Sequence, residues 1–250
     1  MPMTPFDQAV TEIKLYGFTL VHDVLNHDEI QTYKEALIRL TESSGQADYA
    51  NRNAMSLCIF NLPSLDPLFF NVIDHPVILP ILEYFLEPSL VLGSLSSRIV
   101  RPGDGSQDFH SDIPGNMLNF RSPVMMNTVW MLEDFSARNG GTRVVPGSHL
   151  SGLDGPPDGM SVRHYHQSNA PAGSVLLFNG QCWHGSGQNT SDTNRYAMFG
   201  HYRKSMLMFQ LDPHDGFKPE WEEQLTDRQK ELMRMHKGVG APHAADAHVR

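Results

Sequence analysis

The sequence predicts a mainly β protein with flanking helices, a sandwich or barrel of short strands with helical segments at both ends. Three observations predict it. Between about residues 90 and 205, short apolar runs alternate at close spacing with Gly, Pro, Asn and Asp turns, each run too brief for a helix. Before residue 89 and after residue 205 the punctuation is that of helix caps and stops. Across all 250 residues, 40% hydrophobic and 19% charged, no apolar run approaches the roughly 18 residues that a membrane span needs. The expected organisation is one domain over 1–250, with N-terminal helices in 1–88, a β core over about 89–205 and a C-terminal helical segment in 206–250.

Taken in chain order, Thr4 can cap a first helix, Pro5 suits its first turn, Phe6, Ala9, Val10 and Ile13 would line one face, and Gly17 ends it. "FTLVHDVL" (18–25) has strand chemistry. The next helix opens on Asn26 and Glu29, spaced as a capping box, carries Ile30, Tyr33, Leu37 and Leu40 as its buried stripe, and stops at Ser-Gly. "HPVILPILEYFLEP" (75–88) reads as a helix bounded by prolines. The strand runs are "LVLGSLSSRIV", "VMMNTVWMLEDF", "GTRVVPG", "SVRHYH", "GSVLLFNG" and "NRYAMFGHYR". A final helix has Thr226 and Gln229 as a second capping box, Leu232 and Met233 as apolar contacts and Gly238 as its stop.

The balance of charge excludes some partners. A formal net charge of −9, with 19 basic residues scattered along the chain, supplies no concentrated positive face for phosphates, so nucleic acid is not expected as a partner. "MPMTPFDQAV" lacks the basic start and apolar core of a secretory signal, and "AHVR" matches no retention or peroxisomal address, which predicts a cytoplasmic protein. Cys58 and Cys182 are too few for a disulfide framework and too far apart for a metal knuckle, so both are expected as reduced, buried thiols. A homodimer is left open.

The chemistry starts at "QDFHSDIPGN" (107–116), where His110 and Asp112 stand at i and i+2. On an extended chain that spacing sends both side chains to one side. Alone the pair is weak, since Asp112 before "IPG" could simply bond turn amides. A third candidate, His184, follows the strongly β "SVLLF" run. Two histidines and one carboxylate fill one face of an octahedron and leave three positions open, as non-haem Fe(II) oxygenases require. Eleven residues on, at the start of the next expected strand, Arg195 could grip a carboxylate with its planar fork. His164 and His166 have no acid or third ligand at useful spacing and read as a solvent-facing strand. His149 is expected to order its loop. Trp130 and Trp183 flank the expected metal strands and read as core. Asn127, on a strand with one face turned into the β core, is expected to contact co-substrate or substrate.

These motifs carry a resemblance. "QDFHSD", "NGGTRVVPGSH" (139–149) and "WHGSGQNTSDTNR" (183–195), with "YGFTLVHDVLNHDEI" near the N-terminus, resemble the phytanoyl-CoA dioxygenase family of Fe(II)- and 2-oxoglutarate-dependent oxygenases. The resemblance implies a double-stranded β-helix, the cupin-like jelly-roll, with helices packed on one side. It implies His110, Asp112 and His184 as iron ligands and Arg195 as partner of the distal carboxylate of 2-oxoglutarate. Gln107 and Thr142 match positions that help hold the co-substrate in fungal natural-product members.

The implied cofactors are Fe(II), 2-oxoglutarate and O2, and the implied outcomes are hydroxylation, desaturation, epoxidation or rearrangement of a small organic metabolite, with release of succinate and CO2. Secondary metabolism is favoured because no basic patch offers itself to the phosphates of a CoA ester. Related iron halogenases carry a small residue where Asp112 stands, so halogenation is disfavoured. Two other readings compete: a zinc-dependent hydrolase on the same three donors, against which Arg195 and the "NGGTRVVPGSH" match argue, and a non-catalytic jelly-roll binding protein.

Overall fold

The computed structural model describes residues 2–43, 56–113 and 122–235. Helices α1 (Pro5–Tyr16) and α2 (His27–Ser43) bracket strand β1 (Phe18–Val21); β2 (Leu57–Ile59), α3 (Phe70–Ile73) and α4 (Leu79–Leu86) precede the long β3 (Leu90–Val100). Strands β4 (Met125–Met131), β5 (Thr142–Val144), β6 (His166–Gln167), β7 (Val175–Asn179), β8 (His184–Ser186) and β9 (Arg195–Lys204) follow, then α5 (Asp227–Met233). A six-stranded sheet in the order β1-β7-β4-β9-β3-β2 faces a three-stranded one in the order β6-β5-β8. The neighbours in both are antiparallel. This is a jelly-roll left open as a sandwich, without closure into a barrel.

Alternation along the strands decides what each face does. Met126 and Trp130 of β4 and Met198 and Tyr202 of β9 join the helices in one core, with Ile13, Leu37, Leu82 and Leu232. The intervening residues, Val129 and Met131 of β4 and Ala197 of β9, meet Val144 of the small sheet in a second core. Polar side chains on that inward face are therefore enclosed between the sheets. Asn127, Arg195 and His201 are among them.

The helix punctuation works largely as read. Thr4 and Asp7 form a capping box at α1, and Gly17 closes it in the left-handed conformation at φ 86. A Cβ there would collide with Cys182 Sγ, so only glycine fits. Ala9, Val10 and Ile13 are buried, but Phe6 is 38% exposed and lies edge-on to Tyr84 instead of in the core. At the start of α2 the Asn26 amide donates to Glu29 Oε2 at 2.8 Å and the Glu29 amide to Asn26 Oδ1 at 3.0 Å; the Ser-Gly stop of α2 lies outside the described residues. Thr226 and Gln229 cap α5, which ends at Arg234; Gly238 is outside the described residues.

Three elements differ from expectation. The helix expected over 75–88 begins only at Leu79, because Pro76 bars His75 from helical geometry and 75–78 forms a turn. "SVRHYH" yields only His166–Gln167, since its partner β5 is three residues long and stops short of Pro146. Both edges of the large sheet come from the N-terminal region: β1 pairs with β7 and β2 with β3, so the sheet reaches beyond 89–205. In β3 the register shifts between Leu92 and Ser94, and the Gly93 carbonyl accepts the amides of Gln210 and Leu211. That bulge ties the segment after β9 to the sheet.

Candidate metal centre

The segment that carries His110 runs beside β8 and pairs with it at one point. His110 and His184 exchange backbone hydrogen bonds at 3.1 and 2.9 Å, and the Gln107 amide donates to the Ser186 carbonyl at 3.0 Å. Gly185 makes this approach possible, since a Cβ there would sit 2.6 Å from the Gln107 carbonyl. The bridge presents the two imidazoles side by side, ring centroids 4.5 Å apart. Asp112 is fixed by its own amide, which donates to the Gly180 carbonyl at 3.0 Å.

Each imidazole is oriented from behind. His110 Nδ1 lies 2.9 Å from the Asp108 carbonyl and His184 Nδ1 3.0 Å from the Cys182 carbonyl. A carbonyl only accepts, so both Nδ1 atoms carry the proton and both Nε2 atoms present a lone pair, that of His110 accepting a long bond from the Gln107 amide. Those lone pairs converge on the carboxylate: His110 Nε2 is 3.7 Å from Asp112 Oδ1 and His184 Nε2 is 3.5 Å from Asp112 Oδ2. One ligand atom from each of the three residues lies within 4.8 Å of the others. The carbonyls behind the two rings orient them as the partners of metal-binding histidines do.

Burial alone would push the Asp112 carboxyl up, but the imidazoles of His184, His201 and His110 and the Asn127 amide outweigh it and hold the carboxyl below the usual carboxylate range. The Asn127 amide donates to Asp112 Oδ2 at 2.6 Å. Burial keeps His184 below the ordinary imidazole range, against the pull of Asp112. A carboxylate and two unprotonated imidazole nitrogens are the forms that bind a cation.

The centre opens into a pocket that Gln107, Asn127, Thr142 and Arg195 also line. The His110 side chain is 36% exposed, so solvent reaches the centre. Thr142 is buried on β5 opposite Ser186. Gln107 Nε2 lies 3.4 Å from His110 Nε2, and Arg143 Nη2 donates to the Gln107 carbonyl at 2.5 Å. Arg195 is 1% exposed. Its guanidinium donates to the Gly140 carbonyl and lies 4.4 Å over the Phe135 ring. Its Nε has no hydrogen-bond partner, and burial, helped by the like charge of Arg98, brings the guanidinium down to about 9.

Residues that sequence reasoning passed over also reach the pocket: Ser56, Arg98, Phe199, His201 and Gln210. His201 Nδ1 is 3.9 Å from Asp112 Oδ2 and has no hydrogen-bond partner; burial lowers its pKa to about 4. It stands six residues after Arg195 on β9, so alternation could have found it. Ser56 and Gln210 come from irregular segments that give no such signal. Of the residues set aside, Trp130 and Trp183 are buried and both cysteines are buried and free, as expected; the solvent-facing strand expected at His164 and His166 is not formed, since His164 is exposed outside any strand and His166 is half-buried, stacked on Phe18.

Comparison with known proteins gives a family and a fold. A family model described as phytanoyl-CoA dioxygenase matches residues 13–197. Dioxygenase af480 of Aspergillus fumigatus is 26% identical over 245 residues, covering 92% of this chain and 77% of its own length. Dioxygenase cdmA of Talaromyces verruculosus is 26% identical over 218 residues, covering 77% and 70%. Among solved structures, the non-heme α-ketoglutarate-dependent epimerase SnoN of nogalamycin biosynthesis superposes with a TM-score of 0.65 at 18% identity, covering 80% of this chain and 83% of its own. The carbocyclase SnoK gives 0.64 at 19%, covering 79% and 84%. At such identities the two structures share the fold.

Proposed function

The chain belongs to the phytanoyl-CoA dioxygenase family, and on that premise we propose that it oxidises a small organic metabolite of secondary metabolism, using Fe(II), 2-oxoglutarate and O2. The observation that carries the reading is the convergence of two imidazoles with unprotonated Nε2 atoms and one ionised carboxylate within 4.8 Å, beside a buried arginine whose Nε is unpartnered. The donor set suits iron on a face with open positions. A guanidinium with an idle N–H suits the distal carboxylate of 2-oxoglutarate.

His110, Asp112 and His184 would hold the ion, and Arg195 the far end of the co-substrate, with Gln107 and Thr142 flanking it. When bound, iron and 2-oxoglutarate supply the oxidation: O2 is reduced, the co-substrate loses CO2 and becomes succinate, and a C–H bond of the substrate is oxidised. The imidazoles facing Asp112, with the Asn127 amide, keep it ionised, and Asn127 orients it. The carbonyls of Asp108 and Cys182 hold the imidazole protons on Nδ1, away from the ion. Phe178, whose ring lies 4.5 Å from that of His184, and Phe199 limit water beside the ligands. The related dioxygenases from fungi and the nogalamycin enzymes support a natural-product substrate. A cytoplasmic location completes the reading.

A zinc hydrolase could use the same donors but has no use for Arg195. The deciding experiment is anaerobic titration with Fe(II) and 2-oxoglutarate, read by the weak visible charge-transfer band of the chelate, followed by a succinate-release screen over candidate metabolites. Alanine at His110, Asp112 or His184 should abolish band and turnover. A normal band in His184→Ala would remove that ligand, and metal-dependent turnover without 2-oxoglutarate and O2 would favour the hydrolase.

A further inference from the structure

Arg98 lies on the inward face of β3 and lines the pocket. Its cross-strand neighbours are Cys58 on β2 and Ala197 on β9, neither of which can balance a charge. The guanidinium rests 5.6 Å over the Phe199 ring and has no hydrogen bond or ion pair with any described residue. It is close enough to Arg195, His184 and His201 to depress the pKa of each. A half-buried cation beside a second cation opposes folding, and an apolar side chain at 98 would avoid the cost.

The charges of the loaded pocket identify what it lacks. Arg98, Arg195 and Asp112 are the arginines and the carboxylate among the described lining residues, and no lysine joins them. With a divalent ion and dianionic 2-oxoglutarate in place, two guanidiniums and the ion face one carboxylate and the dianion, leaving one positive charge over. Arg195 is committed to the Gly140 carbonyl and the co-substrate; Arg98 is the idle one. We propose that Arg98 is a receptor for an anionic group, a carboxylate, on the substrate to be oxidised. The proposal rests on the oxygenase reading above. It makes the substrate an organic acid whose charged end lies beside Phe199, with the carbon to be oxidised near the ion.

The test uses the full chain loaded anaerobically with Fe(II) and 2-oxoglutarate, with benzoate, decanoate and their methyl esters as probes in calorimetry at low salt. An acid should bind about tenfold or more tighter than its ester, the strength of a charge-assisted hydrogen bond. Arg98→Gln should erase that preference and Arg98→Lys keep part of it. In Arg98→Gln the 2-oxoglutarate affinity, read from the charge-transfer band, should stay within about threefold, while Arg195→Met loses about tenfold or more. Equal binding of acid and ester, or no binding of either acid, overturns the proposal. So does a loss of 2-oxoglutarate affinity in Arg98→Gln as large as in Arg195→Met, which would make Arg98 a second grip on the co-substrate. Absence of the band in the unaltered protein would defeat the oxygenase reading itself.

Discussion

Asp112 receives a hydrogen bond from Asn127 at 2.6 Å and faces three imidazoles, so its environment is built for a permanent anion. That has a consequence for the reaction. On the proposed reading the carboxylate would occupy the coordination position that chloride takes in the halogenases resembling this family, so turnover in excess chloride should give oxygenated, desaturated or rearranged product. Mass spectrometry of that product checks it, and a dominant chlorine isotope pattern would contradict the role given to Asp112. Arg195 lines the same pocket, where the proposed reading has it grip 2-oxoglutarate. Its replacement by Met should weaken 2-oxoglutarate binding about ten- to a hundredfold, while Lys, lacking the planar fork, should rescue only part of the loss. Unchanged affinity in Arg195→Met would mean that the carboxylate is held elsewhere.

At the scale of elements, the centre depends on how close the His110 segment can come to β8. Gly185→Ala would put a methyl 2.6 Å from the Gln107 carbonyl, and backbone would have to yield. The expected result is a fold that still unfolds cooperatively but binds Fe(II) at least about tenfold more weakly, the cost typical of disturbing the groups that orient a metal ligand; unchanged Fe(II) affinity would show that the bridge does not position His110. The motifs around this bridge were readable because local patterns carry them: His110 and Asp112 are two residues apart, His184 ends a β run, and Arg195 opens the next strand. Capping boxes at Asn26 and Thr226 were readable for the same reason, each closing within four residues. What stayed hidden depends on distant partners. β2 is a strand because β3 lies beside it, and β6 shrinks to two residues because β5 stops early. Arg98 reads in the sequence as one more strand residue; only the register that sets it between Cys58 and Ala197 reveals a charge without a partner among the described residues.

The whole molecule joins these local devices through desolvated histidines, and this makes its stability depend on pH. Burial holds His75, His149 and His166 below the ordinary imidazole range; for His75 it prevails over the opposing charges of Glu29 and Asp74. His75 lies edge-on to Trp130 at 5.3 Å and His166 stacks on Phe18 at 5.1 Å, so both are tied to the sheet. In the unfolded chain each imidazole takes up a proton near pH about 6.5, while in the fold each resists it. The unfolded state therefore binds more protons as pH falls, and folding stability must decline with it. The contribution is complete above about pH 6.5 and is lost progressively below it, until the folded groups protonate as well. Asp112, whose folded pKa is depressed, adds a further loss in the same direction below about pH 4. Thermal unfolding of the metal-free protein should give a midpoint that falls steadily between about pH 7.5 and 4.5. His166→Phe keeps a ring against Phe18 and removes one titrating group, so it should flatten the curve between about pH 7 and 5. A midpoint that rises on acidification, or a slope unaltered in His166→Phe, would mean that these histidines are as easily protonated in the fold as in the open chain.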